Sequence, residues 1–145
     1  MKTKLYTAFL IGVAFSLIAD EVKWEGTHRI VSSTGGRRTF NPQKSRTLCK
    51  LDVKDGKVTG TVSPFGINFR GTNWSGCEEI TGTIQGQVIE WNSTRRPEKV
   101  TCTTVFHGVE DGDTLVGYFE QTWMEKGKSP VTYRGVVELK KADGD

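Results

Sequence analysis

The chain has 145 residues with 20 Lys and Arg against 17 Asp and Glu, a net charge of +3 of which Lys2 and Lys4 supply two. Without its first 19 residues it holds 126 residues and a charge of +1, which excludes a general nucleic-acid binder that works through a basic surface. That length suffices for one domain with a core that does not depend on disulfides.

Lys2 and Lys4 precede an apolar run from Leu5 to Ala19, and Asp20-Glu21 follow at once. This is the layout of a secretory signal peptide, and cleavage is expected after Ala19. The run is shorter than the ~20 residues that span a bilayer as a helix, so no stable membrane anchor is expected. Residues 1–19 are thus read as signal and residues 20–145 as a single secreted or periplasmic domain.

Beyond residue 20 the apolar residues recur with period two, and no helical period competes. The first run, 22–30, turns Trp24, Gly26, His28 and Ile30 to one side; a loop over 31–45 with Arg37, Arg38 and Pro42 leads into 46–54. Asp55-Gly56 marks a hairpin turn into 57–63, and a loop over 64–76 carries Pro64, Arg70 and Trp74. Run 77–85 turns at Gly86-Gln87 into 88–92, which ends in Trp91; the loop over 93–99 holds Arg95, Arg96, Pro97 and Lys99. Run 100–108 passes through Glu110–Asp113 into 114–125, which carries Gln121 and Trp123. The last loop, 126–131 with Pro130, precedes 132–140, which opens with Tyr133.

Tight turns and long loops alternate strictly, so an up-and-down meander gathers the turns at one end and the loops at the other. Each long loop holds one of the four prolines, where a missing N–H costs no ladder bond. Gly26, Gly60, Gly82, Gly117 and Gly135 share faces with apolar neighbours, as expected of bends that let a sheet coil and close. The predicted fold is all-β: an eight-stranded antiparallel up-and-down barrel, which leaves no exposed edges. A two-sheet sandwich is the alternative.

The long loops contain nine basic residues against Glu98 alone, which predicts a basic rim including Arg37, Arg38, Arg70, Arg95, Arg96 and Lys99. Alternation sends Trp91, Trp123, Tyr133, Gln121 and His28 inward near that mouth, with Trp74 in a loop beside it. An apolar concave wall with a few polar tips suits a small molecule, anionic if the rim engages it, unless the aromatics simply plug the mouth as core.

Cys49, Cys77 and Cys102 fall near the same end, so a bridge from Cys77 to either partner is expected, with the pairing open. Asn73 and Asn92 lie in glycosylation sequons. No metal spacing, phosphate-cradling loop or nucleophile motif occurs, and no cofactor is expected. His28 and His107 are predicted on opposite faces, as are the adjacent Glu78 and Glu79, so no catalytic dyad is legible.

The layout resembles the calycin group and, within it, the avidins, which share a Thr-Gly-Thr strand like Val58-Thr59-Gly60-Thr61-Val62. They also share strands like Val88-Ile89-Glu90-Trp91-Asn92 and Gln121-Thr122-Trp123-Met124, and a last strand like Tyr133-Arg134-Gly135-Val136. The resemblance implies that Trp91 and Trp123 wall a ligand site. It also implies that tight biotin binding is absent, because Val62, Val137, Gly26 and Ile30 stand where avidins grip the ureido ring with polar groups. The lipocalin opening, Gly-x-Trp, is here Trp24-Glu25-Gly26.

The leading expectation is a small-molecule-binding barrel. The alternative is an interaction or inhibitor module that grips a protein or polyanion through its basic loops, or self-associates through outward Val105, Val116, Tyr118, Met124 and Val136. An enzyme stands third.

Overall fold

A computed structural model describes residues 21–35, 42–66, 77–96 and 98–142. The signal segment and Arg37, Arg38, Arg70, Asn73 and Trp74 lie outside these residues. Eight strands follow one another: β1 (Glu21–Thr34), β2 (Ser45–Lys54), β3 (Lys57–Val62), β4 (Glu78–Gln85), β5 (Val88–Arg95), β6 (Val100–Asp111), β7 (Thr114–Glu125) and β8 (Val131–Lys141). Each pairs antiparallel with its sequence neighbours, and β8 returns to β1, so the sheet is one closed barrel and not a sandwich. The closing seam runs from Trp24 opposite Lys141 to Thr34 opposite Thr132, with Val31 as an extra residue where the register shifts between Ile30 and Ser32.

Asp55 and Gly56 both take positive φ, 52° and 75°, the backbone of a tight turn whose twist matches its flanking strands. That turn, Gly86-Gln87 and Gly112-Asp113 share one end of the barrel, and the long connections share the other. Outward ion pairs lace neighbouring strands, such as Arg46 with Glu25 at 2.8 Å and Arg134 with Glu120 at 2.9 Å. Exposed pairs of this kind add little stability, so the fold rests on its interior.

Cys49, Cys77 and Cys102 are free, which corrects the expected disulfide. Cys49 of β2 pairs with Val62 of β3, which pairs with Glu78 of β4, so a whole strand stands between Cys49 and Cys77. Cys102 of β6 pairs with Arg95 of β5, which separates it from β4 in the same way. Two strand spacings put such Cα atoms roughly 10 Å apart, beyond the ~7 Å a disulfide tolerates.

Inward glycines make room for rings. A Cβ on Gly135 would collide with the Phe119 ring and the Arg29 carbonyl, and one on Gly117 would meet Phe106 and the His107 carbonyl. Overpacking of this kind costs about 1–3 kcal/mol. Gly135→Ala is therefore expected to lower the unfolding free energy by about that amount in urea titrations. Phe119→Leu in the same background should recover part of the loss.

Candidate functional site

Because paired residues share a face, the register stacks the interior into layers. The third layer from the mouth reads Ile30, Gly135, Phe119, Phe106, Trp91 and Gly82 around the wall, three consecutive aromatics between two glycines. Above it lie Tyr133, Gln121, Thr104 and Ser93, a polar band. At the mouth Trp123, Cys102 and Arg95 complete the wall.

One ring in this interior comes from no strand. Phe65, in the connection after β3, is 2% exposed and lies parallel to Phe119, with centroids 4.4 Å apart at 19°, and to Trp91 at 5.7 Å and 20°. Trp91 continues the stack onto Phe106 at 4.9 Å, and His28 meets the Phe65 ring edge-on at 5.1 Å.

Short-range bonds hold this connection inside. Ser63 N donates to the Leu48 carbonyl and Leu48 N donates to Ser63 Oγ, both at 2.9 Å. Gly66, whose φ of 81° suits a residue without a side chain, donates its N–H to His28 Nε2 at 2.9 Å. Since Nε2 accepts, the His28 proton resides on Nδ1, 2.7 Å from Thr47 Oγ1. Across the barrel Gln121 Nε2 donates to the Phe65 carbonyl and to Thr104 Oγ1, each at 3.3 Å, and its Oε1 accepts from Trp123 Nε1 at 2.9 Å.

The mouth layer carries an ion pair facing inward. Arg95 Nε lies 3.0 Å from Glu78 Oε1, while Ser93 Oγ donates to Glu78 Oε2 at 2.8 Å. The Arg95 guanidinium covers Trp123, 4.8 Å from the ring centroid. Burial pushes the neighbouring Cys102 thiol up from its ordinary range, with Arg95 partly offsetting it, and the sulfur is packed at 1% exposure.

Of the residues expected at the site, Trp91, His28 and Gln121 are buried inside the mouth half, and Trp123 and Tyr133 are half-buried above them. Trp74 lies outside the described residues. Arg96 and Lys99 are exposed at the loop end, but Arg95 turns inward onto Glu78 and is lost to the rim. Asn92 is exposed on the outer wall of β5, whereas Ser93 of the same sequon lies inside the barrel. His107 faces outward, 3.0 Å from Glu90.

Sequence reasoning missed Phe65, Glu78, Thr47, Ser93 and Thr104. A lone large apolar residue between Pro64 and Gly66 was the available sign of Phe65. Alternation does put one of Glu78 and Glu79 inside, and it is Glu78.

Burial holds the His28 pKa at about 4, below the ordinary 6.5, so the folded chain keeps this ring neutral while the unfolded chain protonates it. Stability from the neutral ring is complete above pH 6.5 and is lost as pH falls toward 4, by about 3 kcal/mol. Urea unfolding at pH 7 and pH 4 should show the stability advantage of wild type over His28→Gln shrinking by that order. An advantage independent of pH would contradict the assigned ring state.

No family description and no curated protein matches this chain. Among solved structures it is similar to the rhizavidin–biotin complex, with a TM-score of 0.54 and 12% identity over 87% of this chain and 95% of that one. At that identity the likeness is one of fold, and it joins the observed topology in establishing an avidin-like eight-stranded barrel.

Proposed function

We propose that the chain is a small-molecule-binding module. Its ligand enters at the loop end and lays a planar group between Trp91 and Phe119, in the slot that Phe65 occupies. The observation that carries this reading is the origin of Phe65. A ring held by a strand leaves the core only if the barrel unfolds, whereas Phe65 sits on a connection and would leave with four hydrogen bonds broken, one of them long at 3.3 Å. The slot is lined for a flat group, since Phe65 stacks within 20° of both neighbours.

The similar barrel of rhizavidin is a biotin complex, and the proposed site lies inside the same architecture. Biotin itself is disfavoured here. Val62 and Val137 are buried apolar side chains, Gly26 has none, and Ile30 flanks Gly135, so these four positions offer a ureido ring no partner, at about 1–3 kcal/mol for each bond lost there.

Calorimetry tests both statements. Biotin is expected to bind no tighter than about micromolar, and nanomolar affinity would overturn the assignment of that wall. Wild type is expected to bind indole weakly, and Phe65→Ala to tighten it by about tenfold or more, because Phe65 no longer competes for the slot. A wild type that takes up no indole, with Phe65→Ala losing stability alone, would make Phe65 ordinary core.

A second reading rests on the outer wall. Val88, Val109 and Val116 form one register row across β5, β6 and β7, about half exposed, with Tyr118 at 57% in the next row. Val105 and Met124 are exposed on the same strands, and Val136 is half-buried beside Tyr118. This face suits self-association or a protein partner. Export by removal of residues 1–19 is part of both readings. Native mass spectrometry of protein from its own source is expected to show a chain beginning at Asp20 with a retained small molecule. A strictly single-chain mass would remove the second reading, and an intact Met1 would remove export.

A further inference from the structure

The Glu78–Arg95 pair has an unusual pattern of unmet hydrogen bonds. Arg95 Nε and Glu78 Oε1 are 3.0 Å apart, yet the N–H is not aligned on the oxygen, so both atoms are buried without a hydrogen bond. Arg95 Nη2 is a further buried donor without an acceptor, and so is Nε1 of Trp91, a residue only 3% exposed. Buried polar atoms in this state are uncommon and costly, and several on one wall call for an explanation.

Neighbours hold the pair in a defined posture. Ser93 binds Glu78 through Oε2 and leaves Oε1 as the open acceptor. The Arg95 guanidinium carbon lies over the Trp123 ring, 4.8 Å from its centroid, a contact that restrains the side chain. Trp91, Ser93 and Arg95 are successive inward residues of β5, so the pair stands on the strand that also provides a face of the aromatic slot.

The complement to an open acceptor beside an open donor is a group with one donor and one acceptor side by side. A carboxylate would meet Glu78 with like charge, and an ammonium would meet Arg95. A neutral amide satisfies both: its carbonyl accepts from Arg95 Nη2 and its N–H donates to Glu78 Oε1. We infer that Glu78 and Arg95, held by Ser93 and Trp123, form a recognition subsite for a neutral carboxamide carried on a planar ring. The inference rests on the proposed small-molecule reading and names the ligand class.

Three probes of one shape, benzamide, benzoate and benzylamine, test it by titration into 15N-labelled wild-type protein while the Trp91 and Trp123 indole N–H signals are followed. Benzamide is expected to bind at least about tenfold tighter than either charged probe. Glu78→Gln, which leaves Arg95 uncompensated, should transfer the preference to benzoate, and Arg95→Met should transfer it to benzylamine. Equal binding of the three probes by wild type, or tighter binding of a charged one, overturns the carboxamide subsite while leaving the small-molecule reading intact. If no probe moves any indole signal in wild type or in Phe65→Ala, both fall. The wild-type comparison needs no variant to fold.

Discussion

Everything inside this molecule follows from the seam between β1 and β8. Once those strands pair from Trp24 to Thr34, every second side chain of eight strands is committed to a closed interior. That interior must then be filled at close-packed density, which large rings achieve only where the facing wall is reduced to glycine. The layer of Phe119, Phe106 and Trp91 between Gly135 and Gly82 is the result. The seam also brings His28 over Val137, where it can reach a connection that begins two strands away.

The architecture was largely legible because strand alternation and turn chemistry are local signals. All eight strands lie within a few residues of the alternating runs, and Asp55-Gly56 turns as its residue types require. Inward placement of His28, Trp91 and Gln121 followed from the same period. Phe65 was harder to see because a loop has no period: its burial depends on the Leu48–Ser63 bonds and on the His28 and Gln121 anchors from three other strands. The sequence pattern puts Arg95 on the rim because the apolar alternation reads as ending at residue 92. The three further residues of β5 carry alternation onward and turn Arg95 inside. The disulfide expectation failed because sequence shows that cysteines share an end but not how many strands lie between them.

Among the described residues, charge at the loop end is therefore less one-sided than the composition suggests. The inward pair of Glu78 and Arg95 is nearly neutral as a unit, and Lys128 is engaged by Glu125 at 3.0 Å. Arg96, Lys99, Lys44 and Lys126 are exposed in the described loops, and any pull they exert on an anion is a long-range effect that salt screens. On the proposed reading the interior would select by hydrogen-bond geometry and ring shape, which salt leaves largely untouched.

The location of Phe65 on a connection also separates the bonds that hold it from the ladders that close the barrel. Release of Phe65 would break the bonds at Ser63, Gly66 and Gln121, none of which belongs to the strand ladders. Local opening of this kind lies well below the free energy of global unfolding. On the proposed reading the barrel is a cup whose stopper is part of its own chain, and release of the stopper, not of the cup, would set how often the aromatic slot faces solvent.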